Sequence, residues 1–171
     1  MPTTETGKTG RTEAASKGDQ DAIALLTNDH REVERLFETF EKARADKRKA
    51  ELVGEILLAL KVHTQIEEEL FYPAARQALK AKDEDMIDEA VVEHAAAKDL
   101  MAEIEGMDPD DDLYDAKVKV LSEQIEHHVG EEEGEMFPAL RKTDMDLRAL
   151  GARMAARKSE LMDKLGKSAR H

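Results

Sequence analysis

The chain has no cysteine and no tryptophan, and its 171 residues include 4 prolines and 9 glycines. Without cysteine there are no disulfides, thiolate-bound zinc sites, iron–sulfur clusters or thiol nucleophiles, and the composition fits the cytosol. So little proline and glycine, set against abundant Leu, Ala, Glu, Lys and Arg, favours helix over sheet. Aromatic residues make up 4% of the chain, so the core must be built from aliphatic side chains, Met and Ala. No apolar run approaches the roughly 20 residues of a membrane span. Nor does the start of the chain carry an apolar segment resembling a secretory signal. The expected location is the cytoplasm.

Charge of one sign is in excess. The net charge is −13, and residues 21–141 hold −17 of it, residues 1–20 being neutral and 142–171 carrying +4. An acidic body repels nucleic acid and anionic membrane and attracts cations. Solvation of the surface accounts for most of that charge, and weak self-association is compatible with it.

Residues 1–20 are expected to be a disordered tail. Beyond them the apolar positions recur at alternating threes and fours, the stripe of an amphipathic helix. The first helix is expected over about 21–44, with Ile23, Leu26, Val33, Phe37 and Phe40 on its inner face and His30 in the same stripe. The second starts near Lys47 and carries Leu52, Ile56, Leu60, His63, Glu67 and Leu70 or Phe71 inward, until Pro73 ends or kinks it. The third, about 84–105, repeats the first at an offset of 64: Ile87, Ala90, His94, Ala97, Met101 and Ile104. The fourth, about 113–139, repeats the second at an offset of 65: Leu121, Ile125, His128, Glu132 and Pro138. Between them Met107-Asp-Pro-Asp-Asp-Asp112 reads as a turn and a helix N-cap; its spacing does not match an EF-hand loop. A two-helix unit written twice is expected to fold as an antiparallel, up-down four-helix bundle. Residues 142–171 hold a fifth, basic amphipathic helix, expected to pack on the acidic bundle, with partner or anionic-surface binding as the alternative.

The polar residues on the inner stripes form one set: His30, His63, Glu67, His94, His128 and Glu132. In each repeat a Glu follows a His by four residues, which puts both on one helical face. Taken alone, such a pair is an ordinary surface contact; its recurrence in register with the core stripe argues for a site. Unpartnered carboxylates in an apolar core cost several kcal/mol each, and cations would hold them. Imidazole and carboxylate without thiolate suit iron, manganese or zinc; if each Glu bridges two six-coordinate metals, about four positions remain for an oxo or hydroxo bridge, water and an outside ligand. His127 and Glu131 offer a competing pair, but the repeat register selects His128 and Glu132. Glu68, Glu69, Glu131 and Glu133 are expected at the surface, with one of them available to back a ligand imidazole. Tyr72 is expected in core packing, with approach to the site as the alternative, and His171 has no assigned role.

Asp29-His30, His63-xxx-Glu67 with Leu-Phe-Tyr-Pro73, Glu93-His94, and His128-xxx-Glu132 with Met-Phe-Pro138 together resemble the hemerythrin-like proteins of the His-His-Glu cation-binding class, over about residues 21–141. That resemblance implies a four-helix bundle holding a non-haem di-iron centre, with these six residues as iron ligands and Glu67 and Glu132 as bridges. The oxygen-carrying members have a fifth His, and none here fits the register. The expected function is binding or sensing of dioxygen or nitric oxide. A peroxide-decomposing or oxidase-like enzyme is the alternative, and iron buffering or storage a second.

Overall fold

The computed structural model describes residues 20–168, and within them the expected helices form. The expected N-terminal tail lies almost wholly outside the described residues, as does His171. Helix α1 (Ala22–Lys42) opens on Asp21, whose carboxylate accepts from the Ala24 N–H at 2.7 Å; such a cap contributes about 1 kcal/mol. A three-residue connection leads to α2 (Asp46–Ile66), and so short a link makes the two antiparallel neighbours.

The regular part of α2 ends at Ile66, ahead of Pro73, and the helix resumes around the proline. One wide turn, Glu67–Phe71, intervenes, in which the Tyr72 N–H reaches five residues back to the Glu67 carbonyl, and α3 (Tyr72–Ala78) continues with Pro73 in its first turn. Proline lacks the N–H that a regular helix needs and clashes with the carbonyl four residues earlier; a single π turn placed before it accommodates both defects. The second repeat solves the same problem in the same way. After α4 (Asp85–Glu105) and α5 (Tyr114–Glu131), a wide turn at Glu132–Met136 precedes α6 (Phe137–Arg141). The Asp-rich link forms a turn, with the Asp108 N–H donating to Asp111 at 2.8 Å. It does not supply the N-cap of α5: that residue is Leu113, in the left-handed region at φ 71° and without a side-chain cap bond.

The core is divided. Val33, Phe37, Leu52, Leu60, Met101 and Leu121 belong to one apolar cluster, and Leu26, Ile66, Phe71, Ala90, Met136 and Leu140 to another. On every long bundle helix the ligand candidates lie between the two clusters, as His30 does between Leu26 and Val33. They therefore form a polar layer across the bundle.

Helix α7 (Leu147–Ser168) packs on α1 and α2, burying Leu150, Gly151, Met154 and Leu161. Its approach is close: a Cβ built on Gly151 would lie 2.5 Å from the Gln20 carbonyl oxygen. Its basic face meets the acidic bundle through Arg157–Glu69 at 2.8 Å and Lys158–Asp29 at 2.5 Å. The fifth helix is thus packed within the molecule. Among the described residues, no helix is long and apolar enough to cross a membrane.

Candidate metal centre

All six candidates are buried, from Glu67 at 0% exposure to His63 at 7%. The helices bring them together as two overlapping groups, His30–His63–Glu132 and Glu67–His94–His128. Each carboxylate stands between imidazoles of both groups. Glu67 Oε1 lies 2.8 Å from His63 Nε2 and 3.4 Å from His94 Nε2; Glu132 Oε1 lies 2.9 Å from His128 Nε2 and 3.4 Å from His30 Nε2. These approaches are misdirected as hydrogen bonds. His30 Nε2, His63 Nε2, both Glu67 oxygens and Glu132 Oε1 are buried without a hydrogen-bond partner. Native interiors rarely leave such groups unpaired, and here all of them point to one place. The donor set therefore suits bound metal cations.

The other ring nitrogens face outward onto four more carboxylates. His63 Nδ1 lies 3.0 Å from Asp29, His128 Nδ1 2.9 Å from Glu93, His30 Nδ1 3.2 Å from Glu133 and His94 Nδ1 3.8 Å from Glu68. Asp29 and Glu93 are equivalent in the repeat, as are Glu68 and Glu133. For His30, His63 and His128 a proton on Nδ1 donated outward leaves the Nε2 lone pair inward, the arrangement that fixes a ligand imidazole; His94 Nδ1 is buried without a hydrogen-bond partner. Only Glu68 and Glu133 were among the surface glutamates considered for backing; Asp29 and Glu93 carry no signal in the sequence beyond standing one residue before a ligand.

The titration pattern of the metal-free chain agrees. Burial lowers the His63 pKa, but the carboxylates of Glu67 and Asp29 outweigh it and hold the imidazolium well above its ordinary range. His128 is pushed up to about 9, burial opposing and Glu132, Glu67 and Glu93 prevailing. Burial raises Glu67, yet His63 and the neighbouring groups hold it well below the carboxylate range. Protons on imidazoles thus offset buried negative charge, and cations could take their place.

Tyr72 meets both roles open to it in the sequence. It does pack in the core, at 2% exposure, but its hydroxyl reaches the centre, 3.1 Å from His94 Nε2, 3.4 Å from His128 Nε2 and 3.3 Å from Glu132 Oε2, to which it donates. Burial, then the charges of Glu67 and Glu132, raise its pKa and keep it a phenol. The equivalent position of the second repeat is Phe137, whose ring stacks on His30 with centroids 6.0 Å apart. On the other side of the layer lies a cavity of ≈ 20 Å³, lined by the four ligand histidines, by Val33, Leu60, Ala97, Ile125 and Val129, and by Gln124, whose buried Oε1 lacks a partner.

Five helices about a layer of histidine and glutamate define a cation-binding helical bundle. Residues 21–140 match the hemerythrin HHE cation-binding domain, and the chain belongs to that family. The crystal structure of an HHE cation-binding-domain protein from Mycobacterium kansasii, a homologue of Rv2633c, superposes with a TM-score of 0.76 at 26% identity, over 88% of this chain and 93% of that one. The uncharacterised Mycobacterium tuberculosis protein Rv2633c is 33% identical over 113 residues, 64% of this chain and 67% of its own length. A protein of Nostoc sp. named DNA nickase is 26% identical over 157 residues, which are 91% of this chain. The match spans 44% of that relative's length, less than half of it.

Proposed function

We propose that His30, His63, Glu67, His94, His128 and Glu132 hold two iron ions, and that the centre so formed binds or senses a small diatomic ligand, dioxygen or nitric oxide. The bundle of residues 21–141 is the binding unit, and α7 (Leu147–Ser168) braces it. The observation that carries the reading is the placement of each carboxylate between imidazoles of both groups, with unpaired buried donor atoms converging. Two irons bound there supply open coordination positions and electrons to a small ligand. The chain supplies the rest: the carboxylates of Asp29, Glu93 and Glu133 orient three of the imidazoles, and the ≈ 20 Å³ cavity over the histidines admits a molecule of about the size of water or a diatomic while its apolar lining excludes larger polar ones. Gln124 offers the one amide in that lining.

Tyr72 favours a second reading, a peroxide-decomposing or oxidase-like enzyme. A phenol kept protonated beside His94, His128 and Glu132 can give a proton to a reduced oxygen atom and recover it. Iron buffering accounts for neither the cavity nor the phenol. The nickase name of the Nostoc relative does not suit this chain, because −17 of net charge over residues 21–141 opposes contact with DNA phosphates.

Metal content per chain and the visible spectrum of the same sample in air test the reading. Two irons per chain with near-ultraviolet oxo-bridge absorption are expected. One zinc, or no metal, overturns it. Nitric oxide, oxygen and peroxide added to the iron form then separate sensor from enzyme: rapid oxygen evolution from peroxide, abolished in Tyr72→Phe, selects the enzyme.

A further inference from the structure

The repeat places equivalent residues on two outer faces, and their chemistry differs. Leu25, Val62, Ile66 and Leu70 lie on the α1–α2 face beneath α7, the first three fully buried and Leu70 partly so. Their equivalents on the α4–α5 face are Glu89, His127, Glu131 and Glu135. Glu89, His127 and Glu135 are exposed and Glu131 is half-buried. Solvation alone calls for polar residues there. It does not call for a histidine and carboxylates gathered around one point, nor for a passage behind them.

Both are present. His127 Nε2 lies 3.0 Å from Glu131 Oε1 and 3.4 Å from Glu93 Oε2, and the three residues offer ligand atoms all within 4.8 Å of one another. The other oxygen of Glu93 lies 2.9 Å from His128 Nδ1. One carboxylate thus belongs to the surface group and to the inner centre together. Beside it runs a crevice of ≈ 10 Å³, with Glu89, Glu93, Glu131 and Glu135 along it and the buried His128 and Glu132 at its floor. Glu132 is 1% exposed, and its Oε1 has no hydrogen-bond partner. An unpaired buried carboxylate oxygen at the floor of a carboxylate-lined crevice is a receiver for a cation.

We propose that Glu93, His127 and Glu131 form an outer site for a divalent first-row cation, which passes along this crevice to His128 and Glu132. The nitrogen and oxygen donors suit iron(II), manganese(II) or zinc. The transfer needs ligand exchange alone: Glu131 and His127 release the ion, Glu93 turns with it, and Glu132 and the Nε2 of His128 receive it. Loading is one-sided, since α7 and apolar side chains close the equivalent path through Val62 and Ile66. The inference rests on the inner centre holding metal, and its test separates the two.

The surface variant H127Q/E131Q is compared with Asp110→Asn, which removes the same formal charge from the exposed turn at Asp108–Asp111. Iron(II) is added anaerobically to the metal-free chain at limiting concentration, and filling of the centre is followed by capturing the iron(II) still unbound at each time with a chromogenic chelator. The expected result is loading slowed about tenfold in H127Q/E131Q, the scale of a lost charged funnel, with the native rate in Asp110→Asn and native iron content in both at long times. Equal rates in all three chains overturn the proposal, as does equal slowing in both variants. Manganese(II) bound by the iron-loaded native chain, counted by electron paramagnetic resonance, gives the second readout: one weak ion is expected, lost in H127Q/E131Q and kept in Asp110→Asn. No manganese bound by the native chain overturns the outer site. A native chain that never fills its centre with iron fails the di-iron reading instead, and the same manganese titration on the metal-free chain then decides the outer site.

Discussion

Helices α1 and α2 carry the same ligand register as α4 and α5, yet the two pairs differ wherever they face outward. Inside, the correspondence is close: His30 with His94, His63 with His128, Glu67 with Glu132, and behind them Asp29 with Glu93 and Glu68 with Glu133. Outside, the first pair lies under α7 while the second meets water. The orienting carboxylates show the consequence. Asp29 is 8% exposed and gripped by Lys158 of α7, and burial, which raises its pKa, is more than offset by His63 and Lys158. Glu93 is half-buried and shares its charge with His128 and the exposed His127. A ligand layer constrains every helix that feeds it, whereas each outer face answers to what covers it.

The largest effect is expected from the carboxylates that join the halves. If each half bound its own ion, Glu67→Ala and Glu132→Ala would each leave one metal per chain. Because each carboxylate touches imidazoles of both groups, either change is expected to release both ions, with a loss of affinity beyond the ~10–100-fold that an outer-sphere partner is worth. Metal analysis after dialysis distinguishes the outcomes, and one retained ion in both variants would separate the halves.

Next come Asp29→Asn and Glu93→Gln, each expected to weaken metal binding by ~10–100-fold. Asp29→Asn is expected to be the more severe, because it also strands Lys158 against a neutral amide. Lys158→Met should weaken binding less than either. Chelator competition orders the three, and a Glu93→Gln effect larger than that of Asp29→Asn would contradict the role given to α7.

The buried polar layer was legible because a polar residue repeated in register with a core stripe has few ordinary explanations. His30 alone reads as a core histidine; His30 with His94 sixty-four residues later does not. The outer carboxylates were illegible for a geometric reason. Asp29 and Glu93 precede a ligand by one residue and so point about 100° away on their own helix, reaching the site across a gap to the next helix. Lys158 was illegible likewise, since its partner lies on another helix. The choice between core and site for Tyr72 was not legible, because the wide turn at Glu67–Phe71 adds a residue to the period: a regular helix continuing from His63 and Glu67 buries Leu70 or Phe71, whereas here Phe71, Tyr72 and Ala75 turn inward together.

Two glycines compare the outer faces through stability. A methyl group on Gly151 of α7 meets the backbone at Gln20, Asp21 and Ala22 within 2.7 Å. Gly151→Ala is therefore expected to cost ~1–3 kcal/mol as α7 is pushed off α1. Gly130, on the uncovered α5, has nothing within 4 Å of such a group, and Gly130→Ala should stabilise by about 0.5–1 kcal/mol through its helix preference. Thermal unfolding reads both. A harmless Gly151→Ala would mean that α7 does not hold its place against the start of α1.

A similarly small effect on stability, and the sharpest on chemistry, is expected from exchanging the two aromatic residues that the wide turns bring inward. Tyr72→Phe removes a hydroxyl that donates to Glu132 at 3.3 Å, a bond worth about 1 kcal/mol net, and leaves the ring packing in place. Phe137→Tyr offers a hydroxyl to the other half, beside His30. Neither change touches a ligand side chain, so metal content should hold in both. If Tyr72 merely fills space, the visible spectrum of the iron-loaded chain is the same in all three proteins. If its hydroxyl acts on the centre, Tyr72→Phe shifts that spectrum and slows any reaction with peroxide, and the double exchange, with the phenol moved to the half beneath α7, restores neither. Equal spectra and equal peroxide rates in native and Tyr72→Phe would return the residue to core packing and leave the two halves chemically alike at their shared centre.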